Sequence, residues 1–452
     1  MFALPWTFRV PLLYSRQLLT TRRGYEQTQM GSRMQHRANL FVVMAGLYLT
    51  VGLLAVAGKL TVETGLVGSL PRLRWLTIHL VTIGGLTQAL FGLLPSLTGS
   101  VGGTDRAPDS RSRRGQWLLL NAGYPLVLIG MATGSTITAV TGATFVLGAL
   151  GLLIATVYRI SESGHELLRY YRVAPSFLVV GILAAFGMLL NVHGPGGYFG
   201  SIEAHVHANV WGFLGLVAAA TLLAVLPALL ETDLRYPRLV PVTFWGITLG
   251  AIGLVAGPWL ARHELTMLGL GTYVVGTVGL LGNVVGTYLR SDRSQSRRIG
   301  LVLGAYLWLV FPVPWAPLVL LFPETVPGGA IEIAAINGLV LGWMLQLAMA
   351  FLPLVGRSVG LAPGTDLVDS VSSLAADAPQ PSWTQVGCAN VGMAALWATA
   401  LPPLDPFTEA LTLAGYALIG VSWLLFVAAF WRSLDDAAAS TSGRRDAVRD
   451  PP

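Results

Sequence analysis

Apolar runs near 20 residues recur along the whole chain, separated by short polar segments. A run of that length is what an α-helix needs to cross the hydrocarbon of a bilayer. Twelve spans are predicted, at 39–58, 76–98, 117–134, 138–158, 174–193, 206–229, 239–260, 264–289, 299–322, 330–355, 385–402 and 409–431. Segments 99–116 and 356–384 and the tail after 432 are rich in Ser, Asp, Ala and Pro, and read as solvated linkers. Segment 1–38 holds six Arg and only a broken apolar run. It has neither the compact apolar core nor the cleavage site of a signal peptide. It reads as a cytoplasmic tail, or as an over-extended start with the chain proper beginning near Met30 or Met34. The expected fold class is an all-α polytopic membrane protein. Its membrane domain covers 39–431, and a disordered cytoplasmic tail covers 432–452.

Composition agrees with the pattern. The 452 residues are 54% hydrophobic and only 11% charged, with a mean hydropathy of +0.65. That charge is roughly half the share of a soluble protein. With the N-terminus inside, all but four of the 28 basic residues fall on the inner side; the exceptions are Lys59, Arg72, Arg74 and Arg262. This asymmetry is the positive-inside rule, and one span more or fewer would scramble it. Both termini are therefore expected in the cytoplasm, in a multi-pass protein of the cell membrane. The net charge of +6 lies in loops, so the expected partner is the lipid bilayer and not nucleic acid. A single cysteine, Cys388, excludes a disulfide within the chain and argues against iron–sulfur and zinc–thiolate sites.

Self-similarity adds an architecture. The second span reads HLVTIGGLTQALFGLLP from His79, and the tenth reads NGLVLGWMLQLAMAFLP from Asn337. Both place Gly five residues on (Gly84, Gly342), Gln nine on (Gln88, Gln346) and Pro sixteen on (Pro95, Pro353). The sixth span, counted from His207, repeats the glycine as Gly212. A second trio reads GALGLL at 148–153, GTVGLL at 276–281 and GVSWLL at 420–425. Together they predict three four-helix repeats, at about 39–160, 174–290 and 299–431, in a pseudo-threefold arrangement.

Histidine is costly inside a bilayer and is usually functional there. The stretch EAHVHANVWGFLGLVAAATLLAVLP, from Glu203 to Pro227, opens with His205 and His207. Residues two apart on a helix point about 200° apart. Such a pair cannot share one small ion, but each can serve a large cofactor on opposite sides. His79, His205 and His207 all fall at outer ends of spans. The repeat lets His79 and His207 approach a flat macrocycle from opposite faces, leaving His205 for a second iron. Arg72 and Arg74 precede His79 and suit carboxylates such as haem propionates, or simply snorkel to the interface. Glu203 and Glu332 could orient a ligand, relay protons or cap a helix. His193 and His263 lie in outer loops, and His36 and His165 on the cytoplasmic side. Gln88 and Asn283 are the few deep polar groups. The plainer alternative makes each outer histidine a hydrogen-bonded interfacial residue.

Twelve spans, threefold packing, an early His in the second span and the segment HVHANVWGFLGLVAAATLLAVLP resemble the catalytic subunit of haem-copper oxidases and nitric oxide reductases. The resemblance implies His205 as ligand to a high-spin haem, and His207 with His79 as the pair on a low-spin haem b. One haem b, or two, is thus the expected cofactor, with His79, His205 and His207 binding iron. It implies an oxidoreductase or a protein of the response to nitric oxide or oxygen, served by an electron-donor protein on the outer face. The departures concern copper. The His-x-His helix is the sixth span here and the tenth in that family, the seventh span has no histidine, and Asn337 stands where the repeat expects one. An intact oxygen- or nitric-oxide-reducing centre is not expected. The same facts fit the twelve-span haem and copper membrane proteins of the nitric oxide stress response. Two other classes remain. One is a cofactor-free permease, with a broken span at Pro312, Pro314 and Pro317. The other is a subunit that only scaffolds partners.

Overall fold

The computed structural model describes residues 39–103, 109–161, 164–292, 295–358, 368 and 370–449. The segment 1–38, with its expected tail or late start, and His36 lie outside them. Among the described residues every long apolar run is helical and no strand occurs. A helix is the only open element that satisfies its own main-chain polar groups in hydrocarbon. In chain order the helices are α1 (Leu40–Glu63), α2 (Leu73–Gly102), α3 (Ser110–Thr133), α4 (Thr136–Ile160), α5 (Leu168–Leu190), α6 (Gly197–Leu230) and α7 (Leu239–Trp259). They continue as α8 (His263–Arg290), α9 (Ser296–Val319), α10 (Gly328–Gly356), the short α11 (Val371–Asp377), α12 (Trp383–Ala398) and α13 (Thr408–Arg449). Ten of them are long and apolar enough to cross a membrane, which makes this a multi-pass membrane architecture. The other two long helices are α3, whose first turns carry Arg111, Arg113 and Arg114, and α12, with 16 residues.

Three helices form the centre. The apolar windows of α2, α6 and α10 are 72%, 72% and 83% buried, against 33–50% for the other seven. Each central helix carries a π segment: Leu80–Thr87, Ala208–Leu214 and Gly338–Met344. These begin at the residue after His79, His207 and Asn337. A π turn inserts one extra residue into the helical ladder and is rare outside functional sites. The glycines of the sequence repeat lie inside these segments. A Cβ on Gly84, Gly212 or Gly342 would stand 2.7, 2.4 or 2.6 Å from Tyr48, Phe177 or Trp308 respectively. Those rings belong to α1, α5 and α9, so in each case glycine admits an aromatic ring of the helix preceding the central one.

Hairpins complete the outer ring. The pairs α3–α4, α7–α8 and α12–α13 cross at Gly123–Gly142, Gly253–Gly269 and Gly392–Gly415, where a Cβ would meet the partner main chain at 2.6, 2.6 and 2.9 Å. The expected break in the ninth span is present as a turn at 311–314 within α9. Pro95 and Pro353 loosen the helical ladder in the turn before them, where side chains of other elements reach main-chain carbonyls. The Asn39 amide donates to the Gly92 carbonyl at 3.1 Å, and Arg298 Nε to the Ala350 carbonyl at 2.9 Å. Each acceptor lies three residues before its proline.

Three features differ from the sequence expectation. Helix α6 starts at Gly197, well before 206, because Gly196 and Gly200 let its first turn pack against the Pro258 carbonyl. His205 and His207 thus sit about two turns inside the helix. Within the 356–384 linker, α11 buries Val371, Leu374 and Ala375, a spacing that gives one apolar helical face. The last helix continues to Arg449, past Ala437, Ala438 and Ala439 and across the weaker helix formers Ser440 to Gly443.

Candidate functional site

The N-terminal parts of the three central helices bring together most of the polar groups singled out in the sequence. On α2, the His79 ring stacks on Trp75 at 3.9 Å between centroids, and its Nδ1 lies 2.9 Å from the Trp75 carbonyl. On α6, His205 Nδ1 lies 2.8 Å from the Gly181 carbonyl of α5. The Asn209 amide lies beside the same ring, 3.2 Å from Nδ1 and 3.4 Å from Nε2. Gly181 is required there, because a Cβ would stand 2.0 Å from Asn209. In both histidines a main-chain carbonyl accepts from Nδ1–H, which sets the tautomer and turns the lone pair to Nε2; in His205 the Asn209 amide lies 3.4 Å from that Nε2.

His79 is within electrostatic range of His205. His207 faces elsewhere. Its Nε2 is 3.6 Å from Glu203, its ring meets Trp211 edge-on at 5.9 Å, and Trp211 in turn packs on Tyr273 of α8. The Leu254 carbonyl of α7 lies beside it without closing a hydrogen bond to the buried Nδ1. The two α6 histidines thus point apart, His205 to the Gly181 carbonyl of α5 and His207 to Glu203, Trp211 and the α7 side.

Glu203 and Glu332 are within electrostatic range of one another, which brings two carboxylates of α6 and α10 to the same level. Asn337 engages Tyr416 of α13. A niche of about 20 Å³ is lined by Lys59, Arg74, Thr77, Ile78, Asn337 and Tyr416. Arg74 Nη2 also reaches the Ile333 carbonyl at 3.5 Å. Arg72 turns outward to the Met131 carbonyl at the end of α3 and does not line the niche. His193 is held at both nitrogens, by Ser201 at 3.1 Å and Asn191 at 3.0 Å. His263 is exposed at the start of α8. Among the described residues no group of three or more His, Cys, Asp or Glu could hold a bare metal ion.

Beyond the π segments the same helices surround an apolar cavity of about 140 Å³. The deep polar groups lie outside it, paired. Gln88 donates to Asn121 at 3.1 Å, and Gln346 and Asn390 exchange contacts at 3.4 and 3.2 Å. Asn283 accepts from the Tyr236 main chain at 2.9 Å and so anchors the α6–α7 turn.

Sequence reasoning missed Trp75, Gly181 and Asn209. Trp75 and Asn209 each sit four residues from a histidine, the spacing of neighbours on a helix face. The role of Gly181 had no local signal. The chain matches no family model and no curated protein.

Proposed function

We propose that the chain is a haem-binding membrane protein of twelve spans, built as three four-helix units around a common axis. Three π segments, three glycine–aromatic contacts and three glycine-lined hairpins recur in the same order along the chain. Hairpin logic raises ten spans to twelve. Only Gly134 and Ser135 separate α3 from α4, so if α4 crosses the bilayer, α3 must cross back. The segment between α12 and α13, 399–407, is longer but too short to cross a bilayer, so the same reasoning applies to that pair. The charge asymmetry then puts both termini in the cytoplasm and the histidine layer toward the outer face.

The observation that carries the haem reading is the pair His79 and His205, from two central helices, each with Nδ1 engaged by a carbonyl; the Nε2 of His79 is left for iron, and that of His205 would exchange the Asn209 amide at 3.4 Å for it. The donor set fits a haem b, which needs one or two imidazoles and no further protein ligand. Arg74, with Lys59 beside it, suits an anionic haem edge. A bound haem would supply a one-electron centre near the outer face, open to an electron-donor protein on that side. His207, paired with Glu203, is better placed to hold or pass a proton than to share the iron of His79. Among the described residues no ligand cluster suits copper, so the reading is electron transfer or gas response, with no reaction assigned.

The test is the visible spectrum and iron content of protein purified from haem-replete cells. A Soret band with stoichiometric iron, lost in His79→Ala, is expected. A colourless, iron-free preparation overturns the reading. It would favour a cofactor-free permease instead, the second reading, which rests on the cavity between three Pro-bearing, π-distorted helices.

A further inference from the structure

The geometry points to the central cavity as a binding site for one small, neutral, apolar molecule, no larger than a benzene ring. Leu93 of α2, Val225 of α6 and Phe351 of α10 are among its walls. Its hollow comes from an alanine on each helix, Ala89, Ala218 and Ala348, at nearly the same distance beyond His79, His207 and Asn337. Larger side chains at those places would fill the axis. One end is closed by Val371 and Leu374 of α11.

Size and polarity select the ligand. Protein interiors are close-packed, and voids larger than a water molecule are few. At about 140 Å³ this cavity is ten times the minimum for a water. The lining residues that carry a polar side-chain atom are Trp343, with its indole N–H, and Thr221, whose hydroxyl is already 3.3 Å from the Tyr171 hydroxyl. Water needs two to four polar partners and is disfavoured. No charged side chain lines the wall, so an ion or a zwitterion would be stranded there. A dry, Leu- and Ala-lined cavity of this volume takes benzene or xenon. Ligands of this class partition into the bilayer that surrounds the chain. The inference needs no haem and stands apart from the reading above.

Crystals of the full chain under xenon pressure test it. The expected result is a xenon peak between Ala218, Ala348 and Leu93, and at least a tenfold loss of its occupancy in Ala218→Phe. Should that variant fail to fold, Ala89→Val gives the smaller version of the same loss. A wild-type cavity without xenon, or a peak unchanged by both substitutions, overturns the proposal. So does continuous acyl-chain density running through the cavity, which would make it a lipid site.

Discussion

Before their π turns, α2, α6 and α10 carry His79, Glu203, His205, His207, Glu332 and Asn337; after them, the same helices line the cavity with Leu, Ala and Val. The first region is half-buried, with Glu332 exposed, and the second is largely buried; they handle polar groups in opposite ways. The first accepts polar groups and satisfies them with carbonyls, as Trp75 and Gly181 do for the two imidazoles. The second excludes polar groups, placing Gln88 and Gln346 against Asn121 and Asn390 of the outer ring. Between the two lies the π turn. One inserted residue rotates everything downstream by about 100°.

The contrast breaks most severely at the junction itself. Gly212→Leu would drive its Cβ into the near end of the Phe177 side chain, which cannot swing away, and Gly84→Leu would do the same at Tyr48. Each is expected to destabilise the fold by about 3 kcal/mol, read as a fall in thermal midpoint and folded yield in detergent. A glycine far from the axis with open space around it, Gly151, should tolerate Ala with little change.

A smaller effect is expected among the amides that keep the apolar region dry. Asn121→Leu leaves the buried Gln88 donor unpaired and should cost about 1–2 kcal/mol. Adding Gln88→Met should restore most of the loss, since removing both partners is nearly neutral. If the double variant is worse than the single one, the pair does more than satisfy itself.

Smallest is a control outside both regions. The Asp109 carboxylate accepts from the main-chain N–H groups of Ser112 and Arg111 at the start of α3, which holds its pKa below the usual carboxylate range. A depressed folded pKa means this cap acts fully above the unfolded value, about 4. Its contribution is lost as pH falls through the lower folded value. Amide exchange at Arg111 and Ser112 should quicken there relative to the rest of α3, while Asp109→Asn should show no such change. Exchange within the central helices should not follow this titration.

How much of this was legible from the residues differs between levels. The apolar runs predict nearly every helix, because membrane burial writes itself into composition. The start of α6 escaped, since Gly197, Ser201 and Glu203 lower local hydropathy while tertiary packing against Pro258 keeps the helix going. The glycines five residues beyond His79, His207 and Asn337 signalled a shared constraint, and the constraint is an aromatic ring of the preceding helix. The π turns left no such mark, being a matter of hydrogen-bond register. The histidines stood out by type. Their partners did not, because Gly181 contributes only a carbonyl and the absence of a side chain, and the direction of His207 depends on where α7 and α8 pack.

The central claim is that the imidazoles of positions 79 and 205 ligate one haem iron while that of 207 does not. Electron paramagnetic resonance of the oxidised protein tests this most directly. A low-spin ferric signal of two imidazoles that survives His207→Ala and turns high-spin in His205→Ala is the predicted result. A signal lost in His207→Ala and untouched by His205→Ala would contradict it.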